Sequence, residues 1–326
     1  MQNRNNKAVV FLLGPTGVGK SEVSILLAKE IGAEIISADS MQVYRGMDIG
    51  TDKLQVASYR LQVKNQKDKK IQPVVINGIN HYLIDIVEPN EEFNVAKFME
   101  LAEEAIRQIY KKGKIPLVVG GSALYIYSLI KGIFKTPPDL RANPELKIES
   151  DDRNALYKKL VEIDPQAAAK IHPRNLRRVR RALEVYYQTG IPFSQLNQQR
   201  EGIEKRCKII KIGLISPRPE LYQQVEGRVE KMFKQGLVEE VKRIKGKMGK
   251  TATQALGYRE IISYLDGKYS LDEAKDLIKK NTRHFVKHQL TWFRRDKEIN
   301  WIDVKGKDKN EIAEEVRGKI DRLIKL

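Results

Sequence analysis

The 326-residue sequence predicts an α/β fold in which a P-loop NTPase-like parallel sheet core carries an all-helical insertion. Three observations predict it. Short apolar runs alternate with amphipathic helical stretches, the pattern of parallel strands joined by crossover helices. The first run leads into Gly14-Pro15-Thr16-Gly17-Val18-Gly19-Lys20-Ser21, which fits G-x-x-x-x-G-K-[ST], a loop whose amides cradle phosphates. Between about Tyr127 and Arg200 the strand pattern stops, so helices interrupt the alternation. The expected division is a catalytic core of residues 1–126 with 201–326, and an insertion of residues 127–200.

Each element follows from local pattern. Ala8 to Leu13 is a continuous apolar run ending at a glycine, hence a buried strand. Glu22 to Ile31 carries Val23, Leu26, Leu27 and Ile31 on one helical face, with Gly32 as its stop. A strand, a Gly-rich turn and a helix N-terminus together aim free amides and the helix dipole at an anion. The Lys adds charge, and the Ser21 hydroxyl suits Mg²⁺. Glu34 to Ser40 is a second strand ending in Asp39. Ligands of α/β sheets sit beyond the carboxyl ends of strands, so Asp39 should face the loop. Two roles are open to it: orienting the surroundings of a metal ion, or accepting a proton as general base. Gln42 to Thr51 should be a loop over the site, and Lys53 to Pro73, with Lys64–Lys70 at its centre, a solvated loop.

His81 to Val87 is the next expected strand. Asn94 caps a helix with Val95, Phe98, Ala102, Ala105, Ile106 and Ile109, stopped by Gly113; Ile115 to Val119 then returns as a strand. In the insertion, Asp152 to Ile163 and Asn175 to Thr189 are helices, the second closed by Gly190. Lys170, Arg174, Arg177, Arg178, Arg180 and Arg181 fall within residues 170–181 without an acid, and four of the arginines share one helical face. A solvated face usually mixes signs, so this stripe points to phosphate-backbone contact. Ile209 to Ile215 is a strand. Ser216 should cap the following helix, whose core face is Leu221, Val225, Val229 and Met232, with Arg228 near its edge. Ser270-x-x-Glu273 opens a long helix to about Arg295, where cations stand among Phe285, Trp292 and Phe293; such a mixture suits single-stranded RNA, or else a core. Ile299 to Val304 and an amphipathic helix end the chain.

A net charge of +18 exceeds what one small phosphorylated ligand needs and points to a polyanion. The single cysteine, Cys207, excludes an internal disulfide and fits a reducing cytoplasm. The polar start leads straight into a core strand, so no signal peptide is expected. No apolar run approaches the length that spans a membrane.

Several segments together resemble one family, the bacterial tRNA dimethylallyltransferases. They are GPTGVGKS at Gly14–Ser21, SADSMQVYRGMDIGT at Ser37–Thr51, HYLIDIVEP at His81–Pro89 and GGSALY at Gly120–Tyr125. IHPRNLRRVRRALEV at Ile171–Val185, ALGYRE at Ala255–Glu260 and TRHFVKHQLTWFRR at Thr282–Arg295 follow in family order. The resemblance implies transfer of a dimethylallyl group from dimethylallyl diphosphate to the exocyclic amine of the adenosine 3′ of the anticodon. It implies that Gly14–Ser21 hold the diphosphate, that Asp39 is the general base, and that Ser21 and Arg228 assist, with Mg²⁺ at Ser21. It further implies tRNA contacts at Asp39, Ser40, Met41, Gln42, Ser122 and Lys147, and at Arg177, Arg178 and Arg181. Gln254, Gly257, Tyr258, Arg259, Arg283 and Lys287 complete that set. The partner is the tRNA anticodon stem-loop, and a cytoplasmic monomer is expected.

The chain departs from the family pattern in a longer Lys53–Asn80 connection, Ser122 for Thr, Asn175 for Asp, Gln224 for Arg, and His284 and His288 for Gln and Arg. These touch RNA contacts more than chemistry. A small-molecule kinase, a free-nucleotide prenyltransferase and a non-enzymatic RNA binder are the competing readings. The first two leave the basic helical insertion unexplained, the third the pairing of Asp39 with an intact phosphate loop.

Overall fold

In the computed structural model, which describes residues 7–54, 71–134 and 152–325, the chain opens with β1 (Ala8–Leu13), α1 (Lys20–Ile31) and β2 (Ala33–Ala38). The hairpin β3 (Val74–Ile76) and β4 (Ile79–Tyr82) follows, then α2 (Val95–Lys111), β5 (Ile115–Gly120) and α3 (Ala123–Lys131). Next come α4 (Arg153–Ile163), α5 (Pro165–Ala168), α6 (Leu176–Thr189) and α7 (Phe193–Gln198). The chain closes with β6 (Lys208–Ile215), α8 (Arg218–Lys234), α9 (Leu237–Ile244), α10 (Tyr258–Leu265), α11 (Leu271–Phe293), β7 (Asn300–Asp303) and α12 (Lys309–Lys325). The Lys64–Lys70 run and Lys147 lie outside the described residues.

The chain divides into two units, Met1–Ile130 with Arg206–Leu326, and Lys131–Lys205. The first holds a seven-stranded sheet in the order β3-β4-β2-β5-β1-β6-β7, parallel except for the β3–β4 pair. β1 is central and buried along nearly its whole length, as an unbroken apolar run between two helical layers must be. On one face, Val10 and Leu12 join Val23 and Leu27 of α1, Val286 and Leu290 of α11, and Ile312 and Val316 of α12 in one core. The second unit has its own core, in which Leu156 and Leu160 of α4 pack with Ala168, Val179 and Leu183.

The expected caps and stops recur: Asn94 accepts from Ala96 and Lys97, Gly32 and Gly190 are left-handed, and Ser270 with Glu273 forms a capping box. Three local expectations change. Ser216 does not cap α8; Pro217, at ψ 139°, is the cap position, and the Ser216 hydroxyl instead donates to Glu220 at 2.8 Å. The strand expected over His81–Val87 ends at Tyr82, because Leu83 and Asp85 adopt left-handed φ of 64° and 52°. That bend carries Ile86 and Val87 onto the Val43 carbonyl, so the Gln42–Thr51 loop is anchored rather than free. Ahead of it stands a hairpin whose Asn77-Gly78 turn has φ of 51° and 80°, as a two-residue type I′ connection requires.

Asp164 ties the helical unit together. It is 3% exposed, and it accepts from the Ala167 amide at 2.9 Å and the Ser194 amide at 2.7 Å. Asp164→Ala orphans two amides, and we expect it to lower stability by about 2–4 kcal/mol in urea unfolding. Exposed Glu162→Ala, the control, should change it by less than about 0.5 kcal/mol.

Candidate active site

The register of the three neighbouring strands determines what meets at the site. Leu13 and Ala38 both pair with Gly120, so β1, β2 and β5 end at one level. The phosphate loop, Asp39 and Gly121-Ser122 therefore emerge side by side at the carboxyl edge, where α/β sheets bind ligands. In the loop, Gly14, Gly17 and Gly19 have φ of 149°, 83° and 88°. A side chain at Gly14 would also put its Cβ 2.6 Å from the Leu214 carbonyl oxygen. Pro15 and Val18 are buried, Thr16 and Gly17 partly so, and Ser21 stands exposed in the first turn of α1.

Lys20 folds back over the loop and donates to the Pro15 carbonyl at 2.6 Å. Burial pushes its ammonium pKa down to about 7; Asp39 opposes that shift, Arg228 adds to it and Asp52 opposes it. All three charges thus act on the loop lysine. Asp39 Oδ1 accepts from the Met41 amide at 2.8 Å and the Gln42 amide at 3.3 Å. None of the described hydrogen bonds uses its Oδ2. The Arg228 guanidinium donates to Asp52 at 3.1 Å, while its Nε is buried without an acceptor. A buried donor left in this way beside a phosphate loop fits an anionic ligand. Among the described residues no three His, Cys, Asp or Glu side chains gather as metal ligands. The donors present, one hydroxyl and nearby carboxylates, fit an ion held mainly by substrate phosphates and water, as Mg²⁺ is.

Three residues that the sequence reading did not single out hold this arrangement. Gln289 of α11, 6% exposed, accepts from the Thr16 amide at 2.8 Å and donates to the Gly121 carbonyl at 3.0 Å. It therefore joins the phosphate loop to the segment beside Asp39, where the Ser122 hydroxyl accepts from the Ser40 amide at 3.3 Å. Glu240 of α9 gathers the Asp48, Ile49 and Gly50 amides at 2.9–3.2 Å and takes the Tyr258 hydroxyl at 2.6 Å. Lys53, expected in a solvated loop, is 6% exposed because it pairs with Asp85 and with Asp48. No local pattern signals any of the three, since each depends on at least one partner remote in sequence: Thr16 and Gly121 for Gln289, the Asp48, Ile49 and Gly50 amides for Glu240, and Asp85 for Lys53.

The residues expected to contact RNA are dispersed. Ser40, Met41, Gln42 and Ser122 line the Asp39 edge and are part-exposed. Gln254, Arg259 and Lys287 are exposed, and Arg283 is held by Glu226. Gly257 is buried, and so is Tyr258, whose side chain supports the Glu240 cluster and presents no free surface. In the helical unit Arg174, Arg177, Arg178 and Arg181 are all exposed, Arg181 lying 3.5 Å from Glu184. Arg200 stands near Arg178; burial, and then that like charge, lower its guanidinium below the ordinary value. Its Nε is buried without an acceptor.

Comparison with known proteins bears on this site. The IPP transferase family model matches residues 42–296, and the isopentenyl transferase model residues 7–66. A tRNA dimethylallyltransferase of Halothermothrix orenii is 41% identical over 320 residues, covering 96% of this chain and 92% of that protein. One of Alkaliphilus oremlandii is 43% identical over 309 residues, covering 93% of each. Among solved structures, the tRNA isopentenylpyrophosphate transferase of Bacillus halodurans is 38% identical with a TM-score of 0.67, covering 98% of each chain. A eukaryotic dimethylallyltransferase, solved acting on tRNA, is 28% identical with a TM-score of 0.74, covering 97% of this chain and 80% of that one.

Gln289→Ala removes both bonds that fasten the loop. We expect affinity for inorganic pyrophosphate, measured by calorimetry, to fall roughly 5- to 30-fold, the loss of one or two buried hydrogen bonds. Unchanged affinity would make the contact incidental.

Proposed function

The chain belongs to the IPP transferase family of tRNA-modifying enzymes, and on that premise we propose that it transfers a dimethylallyl group from dimethylallyl diphosphate to tRNA. The acceptor is the exocyclic N6 amine of the adenosine 3′-adjacent to the anticodon; the products are N6-dimethylallyladenosine and diphosphate. The observation that carries this reading is that β1 and β2 end level with Gly120, so that Asp39 emerges beside the phosphate loop and its Lys20. A proton acceptor thereby stands next to a cradle for a leaving diphosphate. The reaction takes place in the cytoplasm, where its tRNA substrate is.

The acceptor amine is a weak nucleophile because its lone pair is delocalised into the purine. Asp39 suits the task of general base. The Met41 and Gln42 amides hold Oδ1 and thereby orient the carboxylate, and Oδ2 accepts the amine proton as the N6–C1 bond forms. As the C1–O bond breaks, its electron pair leaves with the diphosphate. The loop amides, the Lys20 ammonium and the Arg228 guanidinium stabilise that growing charge. Ser21 would hold Mg²⁺ together with diphosphate oxygens; the ion supplies further neutralisation of the leaving group. Lys20 then exchanges its bond to Pro15 for one to the diphosphate, a charge-assisted contact that restores its proton affinity.

The target base has to leave its stack to reach Asp39, which costs a few kcal/mol. Phosphate contacts along the rest of the RNA offset that cost. Arg177, Arg178 and Arg181 provide them, with Arg174 and Arg200 beside them in the same unit.

Asp39→Ala should lower turnover roughly 10²–10⁴-fold while tRNA affinity is largely kept. Turnover like that of the unaltered enzyme would remove Asp39 from the mechanism. Replacing Arg177, Arg178 and Arg181 together with Ala should weaken tRNA binding and make its logarithmic salt slope shallower by about 2–3. An unaltered slope would reduce the stripe to solvated surface.

A further inference from the structure

The exposed side of α11 carries an aromatic stripe that the proposed chemistry does not use. Phe285 is 43% exposed and Trp292 50% exposed, whereas the neighbouring Phe293 is fully buried. At 3.6 residues per turn Phe285, His288 and Trp292 follow one another at i, i+3 and i+7 along a single stripe, and Arg295 lies two residues beyond the helix end. His288 and Arg295 are exposed too, and the Arg295 guanidinium lies over the Trp292 ring at 5.7 Å. Large aromatics rarely stay in water on a helix that already has a complete buried face: Thr282, Val286, Gln289, Leu290 and Phe293 fill that role.

Two further observations say what would cover the stripe. First, charge: from Thr282 to Arg295 the chain carries no acid, and no described ion pair engages Lys287, Arg294 or Arg295. A partner for such a surface is anionic. Second, place: Phe285 and Trp292 stand four residues before and three after Gln289, the residue that grips the phosphate loop through Thr16. The stripe therefore runs along the edge by which α11 meets the reacting end of the sheet.

We propose that Phe285, His288 and Trp292 form a stacking platform for the unpaired loop nucleotides that flank the reacting adenosine. The inference rests on the RNA-modifying function above and specifies how the loop is held open. Once the target base is extruded, its neighbours lose a stacking partner. The rings on α11 replace it, while Arg294, Arg295 and Lys287 take the adjoining phosphates. Stacking tolerates any base, so the platform favours unpaired geometry over sequence.

The test uses the full-length protein with Trp301→Phe, which leaves Trp292 as the only tryptophan. Its fluorescence is followed during titration with an anticodon stem-loop RNA and with a blunt duplex RNA of equal length. The stem-loop should quench Trp292 strongly and the duplex hardly at all. In a separate experiment, with Trp301 intact, Trp292→Leu and Phe285→Leu should each weaken stem-loop binding roughly 5- to 100-fold, the range of one lost base–aromatic stack. Their salt slope should stay that of the parent, because no charge is removed. Trp292→Phe should recover most of the affinity. Equal quenching by both RNAs, or leucine variants that bind the stem-loop as the parent does, would overturn the platform. Prenyl transfer to tRNA is measured in parallel: transfer without stem-loop-specific quenching sinks the platform alone. Quenching without transfer leaves the platform standing and removes the catalytic reading.

Discussion

The ends of β1, β2 and β5 lie at one level, and everything at the site depends on that constraint. It holds because Gly120 has no side chain: a Cβ there would stand 2.3 Å from the Ala38 carbonyl oxygen. Any larger residue would push β5 from β2 and separate Asp39 from the phosphate loop. Given the shared level, the chain leaves three strands together, and the loop, the Asp39 carboxylate and the Gly121-Ser122 segment need only short connections to meet. Gln289 then fastens two neighbours among them, the loop after β1 and Gly121 after β5, through one buried amide side chain. Backbone close packing sets the positions, and polar contacts fix the orientations.

The charges divide in the same way. Inside the sheet unit, cations are matched: Lys53 with Asp85, Lys211 with Asp296, and Glu34 with Lys112 and Lys114. A buried charge without a partner would cost several kcal/mol, so these pairs are structural necessities and do not account for the net charge of +18. Cations with hydrogen-bonding capacity to spare gather where an anion is expected. Arg228 keeps a buried Nε without an acceptor beside Lys20, and Arg200 does so near Arg178. Arg177, Arg178 and Arg181 of α6 are exposed, and so are Lys287 of α11 and Arg294 and Arg295 just past its end.

Much of this was legible in the sequence because it is local. Glycines that must be left-handed, side-chain caps and apolar periodicity marked the phosphate loop, α1, α2, α4, α6 and α11 within a residue or two. What was illegible depends on remote partners. Gln289 reads as a polar interruption of a core face, and only the fold reveals that its partners are Thr16 and Gly121. Glu240 lies 190 residues or more from the amides it gathers. Lys53 sits at the edge of a hydrophilic stretch and is buried because the bend at Asp85 adds a second carboxylate to that of Asp48. The strand end at Tyr82 was missed for the same reason, whereas the Asn77-Gly78 turn was a local signal that went unread. The three aromatics of α11 could not be sorted by composition. Their place on the helix decides it, with Phe293 turned inward and Phe285 and Trp292 outward.

On this reading one carboxylate and one phosphate loop prenylate an adenosine within tRNA. The most direct measurement incubates the full-length protein with Mg²⁺ and labelled dimethylallyl diphosphate, in parallel with unmodified tRNA, AMP and ATP. Label should enter tRNA alone, at a single adenosine beside the anticodon. Label in AMP or ATP, or turnover of ATP without transfer to any acceptor, would contradict prenyl transfer to tRNA.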